Sequence, residues 1–443
     1  MASKRVRANA GRRTRLIRAR AFGDLLEASH LMTWEQLPRI VARYAAAAGW
    51  PDAVIYLADL QQERLYRLPD DPSPAAGDPQ APDGPTGPVG LDGTSAELAI
   101  DGTMAGRVFQ RGEVAASAAA AGSASAHLWI PLLDGTERIG VLRVGAPGAR
   151  VTMDEDLGKL AALVAMLVVS KRSTTDSYAR LVRRRRMRVA AEMEWRLMPP
   201  RTFATDRVLI SAVMEPAYDI SGDAFDYALA GDVAHLALFD AMGHDTAAGL
   251  TVNLAVAASR NQRRTGADMV ATAEAVDRAL AGQFDGARYA TGLLSRLHLG
   301  TGVLSWISLG HPPPLLIRGG RVPIALEGEP APPMGLGLGP PPLVHRGQLE
   351  PGDRLVVYSD GITEARNPHG EEFGIERLVD FLIMHHADGL PLPEMLRRLV
   401  RHHLEYHHGR LGDDATIMLL EWHGPTAYRT AALRTLVGLP HSG

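Results

Sequence analysis

Between residues 208 and 422 the chain repeats one pattern, a short apolar run closed by glycine, proline or aspartate. VLISAVM, VAHLALF, GLLSRLHLG, VLSWISLG, LLIRGG, RLVVYS and TIMLLEW follow one another in this way. Runs of this length, rich in Val, Ile and Leu and bounded by turn formers, read as strands buried in a sheet. Such strands bury their faces only when sheets pack against other layers, so this half of the chain is obliged to form a layered structure. Helix-patterned segments intervene: AGLTVNLAVAASRNQRR, MVATAEAVDRALAG and PEMLRRLVRHHLEYHH. Sequential strands with long helical insertions specify an α+β domain.

The ends of these runs carry aspartates. Asp240 closes HLALF, and Asp360 closes RLVVYS and is followed by Gly361. Asp413 and Asp414 immediately precede ATIMLLEW, and Asp223 follows a Ser-Gly turn in DISGDAFDY. A single aspartate at such a place is a turn former or a helix cap. Asp245 or Thr246 is suited to capping the helix that begins AGLTV. If the other strand ends meet, their carboxylates repel and each pKa rises unless cations neutralise them. Mg²⁺ and Mn²⁺, which favour oxygen ligands and retain waters, suit such a group. Two such ions about 3.5–4 Å apart activate a water for in-line attack on a phosphoryl group. Glycines beside the ligands let backbone and substrate approach closely.

The rest of the chain has a different texture. At 443 residues it is too long for one ordinary core, so two or three domains are expected. The 47 basic and 50 acidic residues nearly balance, leaving no global field that favours nucleic acid. The absence of cysteine excludes thiolate nucleophiles, cysteine-ligated zinc, iron–sulfur clusters and disulfides, and suits a cytoplasmic protein. No apolar run approaches the roughly 18 residues of a membrane span. Residues 1–24 are basic and lack the apolar core of a secretory signal, and they read as a disordered tail. A contact with an anionic membrane or nucleic acid is the sharper reading of that tail.

From Thr33, TWEQLPRIVARYAAAAG reads as an amphipathic helix with Leu37, Ile40, Val41 and Tyr44 on one face. AVIYLADL and ERLYRL follow, and residues 69–95 read as a long Pro- and Gly-rich loop. HLWIPLLD and RIGVLRVG read as strands joined by the turn Asp134-Gly135, and a helix opens at Asp154. WIPLLDGTERIGVLRV followed by EDLGKLAALVAMLV resembles a GAF domain over residues 25–170. That resemblance implies a small sensory module with a central antiparallel sheet, which in such domains binds a small-molecule ligand or only another copy of itself. Residues 171–198 read as a charged helical connector containing RRRRMR. Val189, Met193 and Leu197 share one helical face there. RRRR reads as a solvated helix face, with a nucleic-acid patch as the alternative. A signalling or dimerising role for the connector makes a homodimer compatible with the sequence.

SGDAFDY, LALFDAMGHDTAAGL, SLGHPPPLLIRGG, LEPGDRLVVYSDGITEARNPHGEEFGIERL and GDDATIMLL occur in this order. Together they resemble the SpoIIE-type branch of the metal-dependent PPM (type 2C) serine/threonine phosphatases, with WRLMPP similar to its leading segment. The likeness covers about residues 190–422 and implies a β-sandwich flanked by helices over residues 199–423. Residues 424–443 form a tail without pattern. The resemblance implies that Asp240 bridges two metal ions and that the Ala241 carbonyl supplies a backbone oxygen. It further implies that Asp223 serves the second metal, while Asp360 and Asp413 serve the first. Asp413 is preferred to Asp414 because it lies three residues before Thr416. Asp223 and Asp240 are thereby the expected catalytic carboxylates.

The chain departs from the family pattern where Ser221 replaces glycine before Gly222-Asp223, and where DAMGHD places Asp245 at a glycine position. Asp245 caps the helix or adds negative charge near the incoming phosphate. His244 either gives a proton to the leaving alkoxide or holds the turn together. His311 reads as structural. His385, His386, His402, His403, His407 and His408 read as a solvated helical face in preference to a zinc site. The expected enzyme is a phosphoprotein serine/threonine phosphatase using two Mn²⁺ or Mg²⁺ ions. The family's usual substrate is a phosphorylated anti-sigma-factor antagonist in bacterial partner switching, here under control of the N-terminal sensor. The rival readings are an inert sensor and scaffold that binds a signalling partner, and a nucleic-acid binder that leaves the aspartates unexplained.

Overall fold

The computed structural model describes residues 2–70, 95–117, 126–146, 155–219, 222–321, 323–387, 390–409 and 411–425, without the side chains of 2–11, 146, 386 and 387. Most of the expected loop 69–95, the tail beyond residue 425, Asp154, Ser221 and the His386 side chain therefore lie outside the described residues. The chain divides into two compact units at Arg185/Arg186.

The first unit contains helices α1 (Ala2–Ser29) and α2 (Leu37–Ala47) and strands β1 (Val54–Ala58), β2 (Arg64–Arg67) and β3 (Glu97–Ala99). Helix α3 (Met104–Arg111), strands β4 (Ala115–Ser117), β5 (Ala126–Asp134) and β6 (Glu137–Ala146), and helices α4 (Glu155–Arg172) and α5 (Asp176–Val182) complete it. The strands form one antiparallel sheet in the order β3-β2-β1-β6-β5-β4. The expected β5–β6 turn is present, with Gly135 at φ 58°. One apolar cluster joins Leu37 and Val41 of α2 with Ile55, Ile130 and Leu142 of the sheet and Leu160 and Val164 of α4.

The basic N-terminus is helical, which overturns the expectation of a disordered tail. Ala21 and Leu25 of α1 are buried in the same cluster. Arg18 stacks 4.4 Å from the Trp50 ring centroid and pairs with Asp156. A helix whose last turns carry core side chains is held by tertiary packing, whatever the charge of its first turns.

The second unit begins with helix α6 (Val189–Leu197) and strands β7 (Thr202–Ala204), β8 (Val208–Glu215), β9 (Asp223–Ala230) and β10 (Val233–Ala241). Helices α7 (Thr246–Arg264) and α8 (Met269–Phe284) precede β11 (Ala290–His298), β12 (Val303–Leu309), β13 (Leu315–Ile317), β14 (Ile324–Ala325), β15 (His345–Gln348) and β16 (Arg354–Tyr358). Helices α9 (Asp360–Thr363), α10 (Gly374–Ala387) and α11 (Leu392–Tyr406) lead to β17 (Ala415–Trp422). Sheet β15-β12-β11-β10-β9 faces sheet β14-β13-β16-β17-β8-β7 across a shared core. Leu238, Phe225, Leu293, Ile210, Val357 and Met418 meet in that core. Ala237, Phe239 and Leu294 point the other way, against Val252 and Val256 of α7 and Val276 and Leu280 of α8. Helix α11 packs on the outer side of β8.

Two expectations need correction here. Residues 183–188 are not helical, so the connector is interrupted between α5 and α6. Arg184 turns back to Glu63 (2.5 Å) and Asp59 (3.9 Å), and Arg188 pairs with Asp219 at 3.0 Å. Arginines engaged by carboxylates beside two turns do not form a helix face. The face that α6 buries is Ala190, Ala191 and Glu194, while Val189 is exposed.

The histidines of α11 also depart from a solvated face. His403 and His407 are buried, with ring centroids 4.5 Å apart. Phe373 packs edge-on against His403, and the His403 Nε2 lies 3.1 Å from the Ile362 carbonyl of α9. Burial, and then the neighbouring His407, push the His403 imidazole down to about 4. A depressed folded pKa makes its contribution to stability complete above the unfolded value near 6.5 and lost as pH falls toward 4. Thermal melting of the full chain is therefore expected to lose several degrees between pH 7 and pH 5. His403→Gln should reduce that slope, and an unchanged slope would remove His403 from the account.

Candidate metal centre

Strand alternation explains why polar residues gather at one end of the sandwich. On β10, Ala234, Leu236 and Leu238 face the inter-sheet core, so the same parity turns Asp240 inward at the strand's end. On β9, Phe225 and Tyr227 face that core and Asp223 continues their row. On the opposite sheet, Leu355 and Val357 lead to Ser359, and Met418 and Leu420 lead back to Thr416 and Asp414. The polar end thus extends the rows that form the apolar core.

Asp223 and Asp240 stand directly opposite each other in the β9–β10 register. Asp223 is 1% exposed, and its Oδ2 accepts a 2.6 Å bond from the Ser359 hydroxyl. That hydroxyl in turn accepts from the Thr416 amide at 2.9 Å, tying the two sheets together. The Gly222 amide donates to Asp414 Oδ2 at 2.5 Å, and Gly222 accepts from the Ala241 amide at 2.8 Å. Asp360 opens α9 and is half-buried; Asp413 is exposed, and its Oδ1 accepts from the Asp414 amide.

Two glycines make this convergence possible. A Cβ on Gly361 would lie 1.9 Å from the Asp414 carbonyl oxygen. A Cβ on Gly222 would lie 2.8 Å from the Gly243 carbonyl and 3.3 Å from that of Ala241. Both contacts are with backbone, which cannot swing aside, so a side chain at either position would force the ligand-bearing segments apart.

The electrostatics follow from burial and like charge. Burial, with Asp240 and Asp414 adding, holds Asp223 well above the carboxylate range, against the opposing bonds of Ser359 and Thr416. Burial, then Asp360, Asp413 and Asp414, push Asp240 up to about 8. Asp360 is raised by burial and by Asp413. Among the described residues no three His, Asp or Glu side chains already close on one point. The donors nevertheless fit hard divalent ions: all are oxygens, their mutual repulsion is what a cation relieves, and Mg²⁺ or Mn²⁺ completes its shell with water.

The structure brings together Asp223, Asp240, Asp360 and Asp413, with Ala241 in the same turn, and adds Asp414, which the threonine spacing had set aside. His244 is exposed in the turn after Ala241. The hydrogen bonds around that turn come from backbone and from Asp245, which caps α7 through the Ala248 amide at 2.8 Å. His311 is buried, with Nδ1 3.1 Å from the hydroxyl of Thr291, the register partner of Asp240. Ser359 had no role in the sequence reading, although its place before Asp360 gives it inward parity. Glu194 of α6 was missed as well. It is fully buried, neither carboxyl oxygen has a hydrogen-bond partner among the described residues, and burial followed by Asp414 raises it to about 9. Nothing in the local sequence AEMEW marks such a burial.

Residues 230–423 match the family described as Stage II sporulation protein E. The C-terminal half carries a SpoIIE domain. Asp240, Asp360 and Asp413 fall within the matched residues, and Asp223 lies just before them. The chain is 26% identical to protein IcfG of Synechocystis sp. over 121 residues, 27% of this chain and 19% of IcfG. It is 23% identical to the phosphoserine phosphatase RsbU of Bacillus subtilis over 239 residues, 52% of this chain and 68% of RsbU. The RsbU and RsbW domains of a Mycobacterium tuberculosis protein superpose with TM-score 0.43 and 26% identity, covering 50% of this chain and 61% of that one. The chain thus spans 19% of the length of IcfG and 61% of the mycobacterial chain.

The raised carboxylate of Asp240 in the SpoIIE domain has a measurable sign. A folded pKa above the unfolded value near 3.8 favours the neutral acid, so the metal-free fold loses stability as pH rises through about 8. Chelator-treated protein is expected to melt at a lower temperature at pH 9 than at pH 6. Asp240→Asn should flatten that dependence, and equal slopes in the two proteins would contradict the electrostatic assignment.

Proposed function

We propose that the SpoIIE domain is a divalent-metal-dependent phosphatase acting on phosphoserine or phosphothreonine in a protein. The observation that carries this reading is the convergence of Asp223, Asp240, Asp360 and Asp413 at the polar end of the sandwich. Asp223, Asp240, Asp360, Asp413 and the Ala241 carbonyl would hold the Mn²⁺ or Mg²⁺ ions. When bound, the ions supply Lewis acidity and an activated water for in-line attack on phosphorus.

The chain's own residues set the geometry. Ser359 fixes the Asp223 carboxylate, and Gly222 fixes Asp414 through its amide. In the displacement an O–P bond forms from water, the P–O bond to the serine or threonine breaks, and the leaving oxygen takes up a proton. In this reading His244, exposed in the turn that follows Ala241, would give that proton, and other groups hold the turn.

The substrate in this proposal is a serine-phosphorylated anti-sigma-factor antagonist, a reading supported by the likeness to a phosphoserine phosphatase. The first unit, with its six-stranded antiparallel sheet and flanking helices, is proposed as a GAF-like sensor over residues 25–170 that binds a small molecule and controls the phosphatase. No helix among the described residues is long and apolar enough to cross a membrane, and a cytoplasmic location is proposed. A homodimer is compatible with this arrangement.

Hydrolysis of a phosphoserine peptide by the full chain should require Mn²⁺ or Mg²⁺ and stop on chelation. Asp240→Asn should lower kcat by at least about 100-fold, the scale of losing one preorganised electrostatic group. Metal-independent turnover would sink the mechanism. Partner binding without turnover would favour the inert scaffold.

A further inference from the structure

The acid cluster presents a difficulty for its own substrate. A phosphoryl group brings negative charge to a site lined by five aspartates, and bound ions neutralise only part of that field. A fixed cation beside the site would orient the substrate, and the loop that follows Asp240 holds one.

Arg288 lies between α8 and β11, two residues before Ala290, the register partner of Ala241. Its Nη2 donates to Asp245 Oδ2 at 2.8 Å, and its Nη1 reaches the Met242 carbonyl at 3.4 Å. The Met242 amide donates to the Tyr289 carbonyl at 3.1 Å, which fixes the two loops side by side. Asp245 is itself anchored as the cap of α7, so the guanidinium is held from a rigid point. The Arg288 side chain remains 24% exposed. Guanidinium has five N–H donors in a planar fork that matches carboxylate and phosphate oxygens, and these two contacts leave donors free.

We propose that Arg288 is a substrate-recognising residue of the SpoIIE domain, binding an oxyanion of the phosphoprotein, with Asp245 as its positioning residue. The inference rests on the phosphatase reading of the aspartate cluster. It gives Asp245 a function: the carboxylate that replaces a family glycine orients a cation. The oxyanion is either the phosphoryl group itself or a carboxylate flanking the phosphoserine.

The test compares wild type, Arg288→Ala, Arg288→Lys and Asp245→Asn in the full, Mn²⁺-loaded chain. Three substrates are used: an aryl phosphate, a phosphoserine peptide with acidic flanks and one with neutral flanks. Arg288→Ala should raise KM by about tenfold or more, the scale of a lost charge-assisted hydrogen bond, with kcat and Mn²⁺ affinity retained. Arg288→Lys should recover part of the loss. Asp245→Asn keeps a capping side chain but loses the charge, and should raise KM by a smaller factor. A rise on all three substrates assigns Arg288 to the phosphoryl group, and a rise confined to the acidic peptide assigns it to the flanking carboxylate.

Unchanged KM on every substrate in Arg288→Ala, with only the melting temperature lowered, would overturn the proposal and leave a structural ion pair. If wild type fails to hydrolyse any substrate, direct binding of the acidic phosphopeptide is measured instead. Binding lost in Arg288→Ala would uphold the recognition while the phosphatase reading falls; binding unaffected by the substitution would overturn the recognition too.

Discussion

A buried and a half-buried carboxylate placed side by side on paired strands set the terms for the second unit. Asp223 and Asp240 face each other at the end of β9 and β10. Neither can be charged cheaply without a counter-ion. The surrounding structure gives Asp223 a hydroxyl from Ser359, itself held by the Thr416 amide, ties Asp414 to the Gly222 amide, and uses two glycines that let three chain segments meet. The apolar rows behind them, from Leu238 and Phe225 to Val357 and Met418, form the core that keeps the repelling groups in place. In the proposed function the cluster carries a local cost in stability that a bound cation would recover.

The turn after Asp240 concentrates several tasks in a few residues. Ala241 donates its amide to the Gly222 carbonyl, His244 stays exposed, and Asp245 both starts α7 and holds Arg288. The Ala248 amide and Arg288 keep Asp245 below the usual carboxylate range, so it stays charged. A residue that caps a helix, and is ionised for that reason, is a stable anchor for a cation. The departure from glycine at this position is therefore compatible with an active site.

Much of this was legible in sequence because strand alternation and chain order are local signals. The apolar runs at residues 208–422 became strands, and the three helix-patterned segments became α7, α8 and α11. Asp240 and Asp360 stood out because a carboxylate closing an apolar run is unusual. Strand β9 was not read, since DAFDYALA carries two aspartates, so the pairing of Asp223 with Asp240 emerged only from the sheet register. Helix α10 was likewise unread, its apolar positions lying inside a motif read for its glycines and acids. The burial of His403, His407 and Glu194 depends on which helix face meets another layer, and composition does not encode that. The basic N-terminus was misread for a similar reason: two side chains near the end of a charged helix, Ala21 and Leu25, secure it to the first unit's core.

The claim that the aspartate cluster holds metal is tested most directly by calorimetric titration of Mn²⁺ into the metal-free chain. Two ions per chain should bind at the cluster, and Asp240→Asn should abolish tight binding of both. Absence of binding, or binding that Asp240→Asn leaves unchanged, would contradict the assignment.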